Sequence, residues 1–144
     1  MAREVCVFSE NKKGQLKKII EVVSNRGINL RAFTITGDEK FGIVKMIVNR
    51  PDEALEAYKE KGFSVALKDV VAVLMKDRPG GLLEVLNFVE RCDINIIDSY
   101  GFVVKDKKDA VLIIEVDEYE KLKDELEKGG FKILTDREID TLEF

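Results

Sequence analysis

The chain has 144 residues, a net charge of −4, 45% apolar and 36% charged residues, enough apolar material for one domain or two small ones and too much for a disordered tail. Charges of both signs are interspersed, which argues against a dedicated binder of nucleic acid or of anionic membrane. Histidine is absent, and with it go the commonest general base, the commonest transition-metal ligand and every Ser-His or Cys-His nucleophile pair.

No apolar run approaches the ~20 residues of a membrane span, and the Met-Ala-Arg-Glu start lacks the apolar stretch of a signal peptide, so a cytoplasmic protein is expected. Cys6 and Cys92 form no C-x-x-C pair and fall in or beside apolar segments, where a buried structural thiol is the ordinary outcome. No disulfide is expected.

In chain order, residues 4–9 are a β-branched and aromatic run that reads as a strand. Asn11-Lys12-Lys13-Gly14 leads into Leu16, Ile19, Ile20 and Val23, apolar at the spacing of an amphipathic helix, which Gly27 ends. A second strand runs from about Asn29 to Thr36, a turn covers Gly37 to Lys40, and a third strand runs from Gly42 to Val48. Pro51 opens a second helix that stops at Gly62, and Phe63 to Leu67 is a fourth strand. The order is β-α-β-β-α-β.

That order restarts at Val70. Adding 66 takes Val5 to Val71, Val7 to Val73, Gly14 to Gly80, Leu16 to Leu82, Val23 to Val89 and Asn29 to Asn95; after the hairpin the offset is 68, taking Val48 to Val116 and Gly62 to Gly130. A two-residue insertion in the second hairpin tip, Lys105 to Asp109, accounts for the change. The fold is therefore read as α+β, two ferredoxin-like units in tandem over residues 1–68 and 69–144, joined by a linker of little more than Lys68-Asp69. Each unit is expected to be a four-stranded antiparallel sheet with both helices on one face, and each is small enough that the two should pack as a pseudo-dimer. The tail from Asp136 is too short to assign, though Ile139, Leu142 and Phe144 suggest that it docks.

Asp77-Arg78-Pro79-Gly80-Gly81-Leu82 joins a strand to a helix. A Pro-Gly-Gly step turns the chain sharply and brings backbone N–H groups to a helix mouth, where a carboxylate or phosphate is favoured by about 0.3–2 kcal/mol. Read in isolation it is also an ordinary strand-to-helix turn. Its counterpart, Asn11-Lys12-Lys13-Gly14-Gln15-Leu16, has Lys13 where the second copy has Pro79.

With these loops, the helices that follow them, and Ile28-Asn29-Leu30 and Ile94-Asn95-Ile96 opening the second strand of each repeat, the whole chain resembles a stand-alone tandem of ACT domains, the amino-acid-sensing module of metabolic enzymes. The resemblance implies an amino acid held between two domains. Backbone near Gly80, Gly81 and Leu82 would take its carboxylate, with Gly14 in the same place in the first repeat and Pro79 shaping the loop. Asp77 or Asn11 would meet the ammonium, Asn95 or Asn29 would reach across the interface, and Tyr100 is a further candidate for the pocket lining. It also implies regulation rather than catalysis, with a regulated partner protein. The small size of each unit suggests assembly of two chains into a homodimer, and no cofactor or metal is expected. Left open are helix-capping roles for Asp77 and Asn11 and left-handed turn roles for Asn29 and Asn95. A ligand-free structural or protein-interaction module on the same fold is the alternative function.

Ser99-Tyr100-Gly101-Phe102-Val103-Val104 looks like the aromatic stretch of an RNA-recognition motif, which shares the strand order. It stands on the second strand instead of the third, and no nucleic-acid partner is expected. No phosphate loop, dinucleotide fingerprint, nucleophile elbow or metal spacing is present, and the run from Lys121 to Lys128 reads as a solvated helix face, so no enzyme is expected.

Overall fold

The computed structural model describes residues 1–104 and 108–142. The elements are β1 (Ala2–Glu10), α1 (Gln15–Asn25), β2 (Leu30–Gly37), β3 (Phe41–Val48), α2 (Pro51–Glu60), β4 (Ser64–Lys76), α3 (Gly81–Arg91), β5 (Ile96–Val103), β6 (Asp109–Val116), α4 (Tyr119–Lys128), β7 (Ile133–Leu134) and α5 (Asp136–Thr141). They form two compact units, one spanning Arg3–Lys68 and the other Asp69–Phe144 together with Met1–Ala2.

In the first unit the strand order is β2-β3-β1-β4. β1 lies antiparallel to β3 with Val5 opposite Met46 and Val7 opposite Val44. These four side chains share a core with Ile19, Val22 and Val23 of α1 and Ala54, Ala57 and Tyr58 of α2, so both helices cover one face. Tyr58 is fully buried, and its hydroxyl donates to the Ile19 carbonyl at 2.7 Å, which keeps the phenol satisfied inside an apolar core.

In the second unit the order is β5-β6-β4-β7. Val71 faces Ile114 and Val73 faces Leu112, the pairs of the first unit moved by 66 and 68 positions. Their core adds Val85 and Val89 from α3 and Leu122 and Leu126 from α4. α4 is thus amphipathic, with two leucines one turn apart inside an otherwise charged run. The repeat reaches irregular features as well. β2 is bulged between Leu30 and Ala32 and β5 between Ile96 and Asp98, and left-handed backbone occurs at Gly27 and at Asp93, its counterpart.

One expectation is corrected, and the tail that the sequence left unassigned takes a definite form. Lys68-Asp69 is not a loop between strands, because β4 runs unbroken from Ser64 to Lys76. Asp69 is a residue that turns accept, but no glycine or proline accompanies it, and the alternation of Val65, Leu67, Val71 and Val73 continues through the pair. The tail is a helix. α5 opens with a capping box in which Thr135 accepts from the Glu138 N–H and Glu138 accepts from the Thr135 N–H. Ile139 is buried and the Asp136 N–H donates to the Met1 carbonyl at 3.0 Å. Part of the hairpin insertion and Phe144 lie outside the described residues.

Both cysteines are free, Cys6 buried and Cys92 half-buried. Burial and the neighbouring Glu4 carboxylate, whose Oε1 lies 3.2 Å from Sγ, push the Cys6 thiol up to about 12. No described helix is long and apolar enough to cross a membrane.

Candidate functional site at the loop before the first helix of each repeat

The two loops have the same backbone. Gly14 has φ 84° and Gly80 has φ 87°, each immediately before its helix. The Gln15 N–H donates to the Lys12 carbonyl at 3.1 Å, and the Gly81 N–H donates to the Arg78 carbonyl at 2.9 Å. Lys13 in place of Pro79 leaves the turn unchanged. Closing the turn engages the Gly81 N–H, so by helix geometry the first-turn donors are those of Leu82 and Leu83, and of Leu16 and Lys17 in the first repeat.

Asn11 and Asp77 do not cap these helices; neither α1 nor α3 has a side-chain cap. They clip each loop to its hairpin tip instead. The Asn11 N–H donates to the Lys40 carbonyl at 2.8 Å and the Asp77 N–H to the Lys108 carbonyl at 2.9 Å. The Asn11 amide nitrogen also donates to the Asp38 carbonyl at 2.7 Å. Asn29 and Asn95 stand just before β2 and β5, both exposed, and neither has left-handed backbone. The Asn29 N–H donates to Asn49 Oδ1 at 2.9 Å, which fixes the entry to the bulged strand.

Pro79, Gly80 and Leu82 are exposed and Gly81 is buried. Leu82, read as a core residue of its helix, and its counterpart Leu16 are 45% and 38% exposed. Both stand in the first turn of their helices, beside the loop. Tyr100 is opposite Ile113 on β6, next to Leu112 and Ile114 of the helix-side core. Alternation therefore places Tyr100 on the sheet face turned away from α3, apart from the loop of its own repeat.

A cleft of about 270 Å³ opens beside the first loop. Its rim is Asn11, Lys12 and Gln15, and its walls are Ile19, Ile35 and Val44. Lys12 is paired with Glu10 at 2.7 Å, which raises the Lys12 ammonium above its usual range. At the tip, N–H groups of Phe41 and Lys40 bond the Asp38 carboxylate and hold it below its usual range. A larger polar groove of about 660 Å³, lined by Lys18, Asn25, Arg26, Glu60 and Lys61, lies between α1 and α2. Sequence reading missed Ser9, Ile35, Gly42 and Val44, which line the cleft. The available signal was Ser9 following Val5 and Val7 at inward-facing positions of the first strand. Among the described residues no cluster of acidic or cysteine side chains could hold a metal.

Two βαββαβ units with matching register, bulges and loops define a tandem of ferredoxin-like units. The chain belongs to the family of ACT domain pairs, whose model matches residues 1–143. No curated protein matches it. Among solved structures, protein BT0572 from Bacteroides thetaiotaomicron is similar with a TM-score of 0.91 and 31% identity, over 98% of this chain and 96% of that one. The regulatory subunit of aspartate kinase from Thermus thermophilus, in its ligand-free form, gives a TM-score of 0.64 and 16% identity over 88% and 91%. The corresponding subunit from Thermus flavus gives 0.60 and 14% over 89% and 92%. At these identities the two kinase subunits share the fold alone.

Proposed function

We propose that the chain is a non-catalytic regulatory protein that binds a free amino acid where two ACT domains meet. The observation that carries this reading is the duplicated loop, with the same left-handed glycine, the same closed turn and the same clip to the hairpin tip at Gly14 and Gly80. A ligand carboxylate would take the first-turn N–H groups, Leu16 and Lys17 in one repeat and Leu82 and Leu83 in the other. Asn11 Oδ1 or the Asp77 carboxylate would accept from the ammonium, and Asn29 or Asn95 would come from the facing domain. A second copy of the chain is the expected companion. β2 ends the sheet order of its unit, and Phe33 and Ile35 on it are 49% and 50% exposed, an edge that favours burial against another chain. A regulated partner protein and a cytoplasmic location complete the reading.

The test is a thermal-shift screen of the intact protein against the common amino acids. At 100 times Kd the stabilisation is about 2.7 kcal/mol, roughly 5–10 °C for a chain of this size. Gly80→Asp and Gly14→Asp each place a carboxylate where the ligand's own must sit, and aspartate is among the residues that tolerate left-handed backbone. One variant or both should lose the response. A wild type that responds to no amino acid, once a co-purified ligand is excluded, supports the ligand-free interaction module.

A further inference from the structure

We infer that the ligand site is in the first repeat, and that its ligand carries a compact aliphatic side chain. This rests on the amino-acid reading above and decides between its two copies. The loops are alike, so the difference lies in what stands beneath them. In the first repeat, register puts Ser9 opposite Gly42 and Ile35 opposite Val44. The equivalent pairs of the second repeat are Met75 opposite Ala110 and Gly101 opposite Leu112.

Ser9 is short and turns its hydroxyl to the Glu10 carbonyl at 3.2 Å, and Gly42 has no side chain, so the cleft stays open between them, Ile35 and the core residues Ile19 and Val44. Met75 is long. It packs against the second core, and its Cε lies 3.6 Å from where a Cβ on Gly101 would stand. Where the first repeat has the short Ser9 under its loop, the second has the long side chain of Met75.

The walls set the chemistry. Ile19, Ile35, Val44 and Leu16 are hydrocarbon and Ser9 is the short polar side chain among them, so a charged or amide side chain lying against these walls would lose hydration with little compensation, whereas a branched hydrocarbon would not. At about 270 Å³ the cleft is smaller than the ~300–1,000 Å³ of drug-sized sites and suits one small molecule.

The test titrates the intact, methyl-labelled protein with L-leucine, L-lysine, L-aspartate and 4-methylpentanoate, which is leucine without its ammonium. L-leucine should move the methyl signals of Ile19, Ile35 and Val44 and leave those of Val85 and Leu112 in place. Ser9→Met should weaken its affinity at least tenfold. Gly42→Ala should weaken it a few-fold, and this milder variant is sterically safe because its Cβ would meet only the Thr36 carbonyl, at 3.6 Å. Tighter binding of L-lysine or L-aspartate, shifts confined to Val85 and Leu112, or full affinity in both variants would overturn the assignment. A response to 4-methylpentanoate at the same methyls, with none to any amino acid, would uphold the aliphatic pocket of the first repeat and overturn the amino-acid reading. Silence from all four probes, in protein shown free of co-purified ligand, overturns the assignment.

Discussion

Gly80 and Gly81 are neighbours held to glycine for different reasons. Gly80 has φ 87° and open space around it, whereas a Cβ on Gly81 would lie 1.9 Å from the Lys76 carbonyl oxygen. Gly80→Asn should therefore cost less than the ~1–2 kcal/mol of a residue that resists left-handed backbone. Gly81→Ala must displace backbone and should cost about 1–3 kcal/mol, the upper end being expected. Urea midpoints of the two variants check the order. From sequence alone both glycines looked like ligand-approach residues; only the fold shows that Gly81 serves loop packing, because the distance to Lys76 depends on how the turn closes. Cys6 gives a second residue-scale expectation. Its thiol ionises at 9.0 when unperturbed and at about 12 when folded. The folded pKa is the raised one, so this contribution to stability is whole below pH 9 and declines as pH rises toward 12. Cys6→Ala should flatten the alkaline limb of the stability curve, and Cys6 should resist thiol reagents at pH 8 until the protein is unfolded.

Among the elements, those with turn residues at both ends and a full period of apolar positions were legible. α1 to α3 and β1 to β3 fall within a few residues of where the sequence puts them. α4 and α5 were not read in the same way. In α4 the two buried leucines are diluted by charge, and α5 has six residues, too few for periodicity to register. What identifies α5 is its capping box, Thr135 with Glu138. Thr135→Ala should lower stability by about 1 kcal/mol, seen as an earlier midpoint in denaturant. Lys132, 2.7 Å away, and the Thr135 N–H hold the Glu138 carboxyl below its unperturbed 4.5. The stabilisation from this group is present above pH 4.5 and is lost as pH falls through the lowered folded value. Glu138→Gln should therefore make the acid limb shallower while leaving the alkaline limb alone.

For the whole molecule, the duplication was legible because identities recur at core and turn positions, where packing and backbone conformation restrict the choice of residue. The way the chain is shared between the repeats was not. Two polar residues between two apolar runs look like a linker, yet Lys68 and Asp69 lie inside β4. Met1 and Ala2 belong to the unit that begins sixty-odd residues later, with the Met1 carbonyl accepting from Asp136. Cutting the chain at 68/69 would therefore divide a strand and separate the second unit from its first two residues. We expect intact protein to unfold in one transition by both circular dichroism and calorimetry. Residues 1–68 and 69–144 produced separately should each give poorly dispersed amide spectra, since units of this size have marginal cores. Mixing the two pieces should restore dispersion if the broken strand can re-form. Two separate spectra that each match the intact protein would show that the halves are independent domains, and the reading of the chain as one cooperative pair would fall with them.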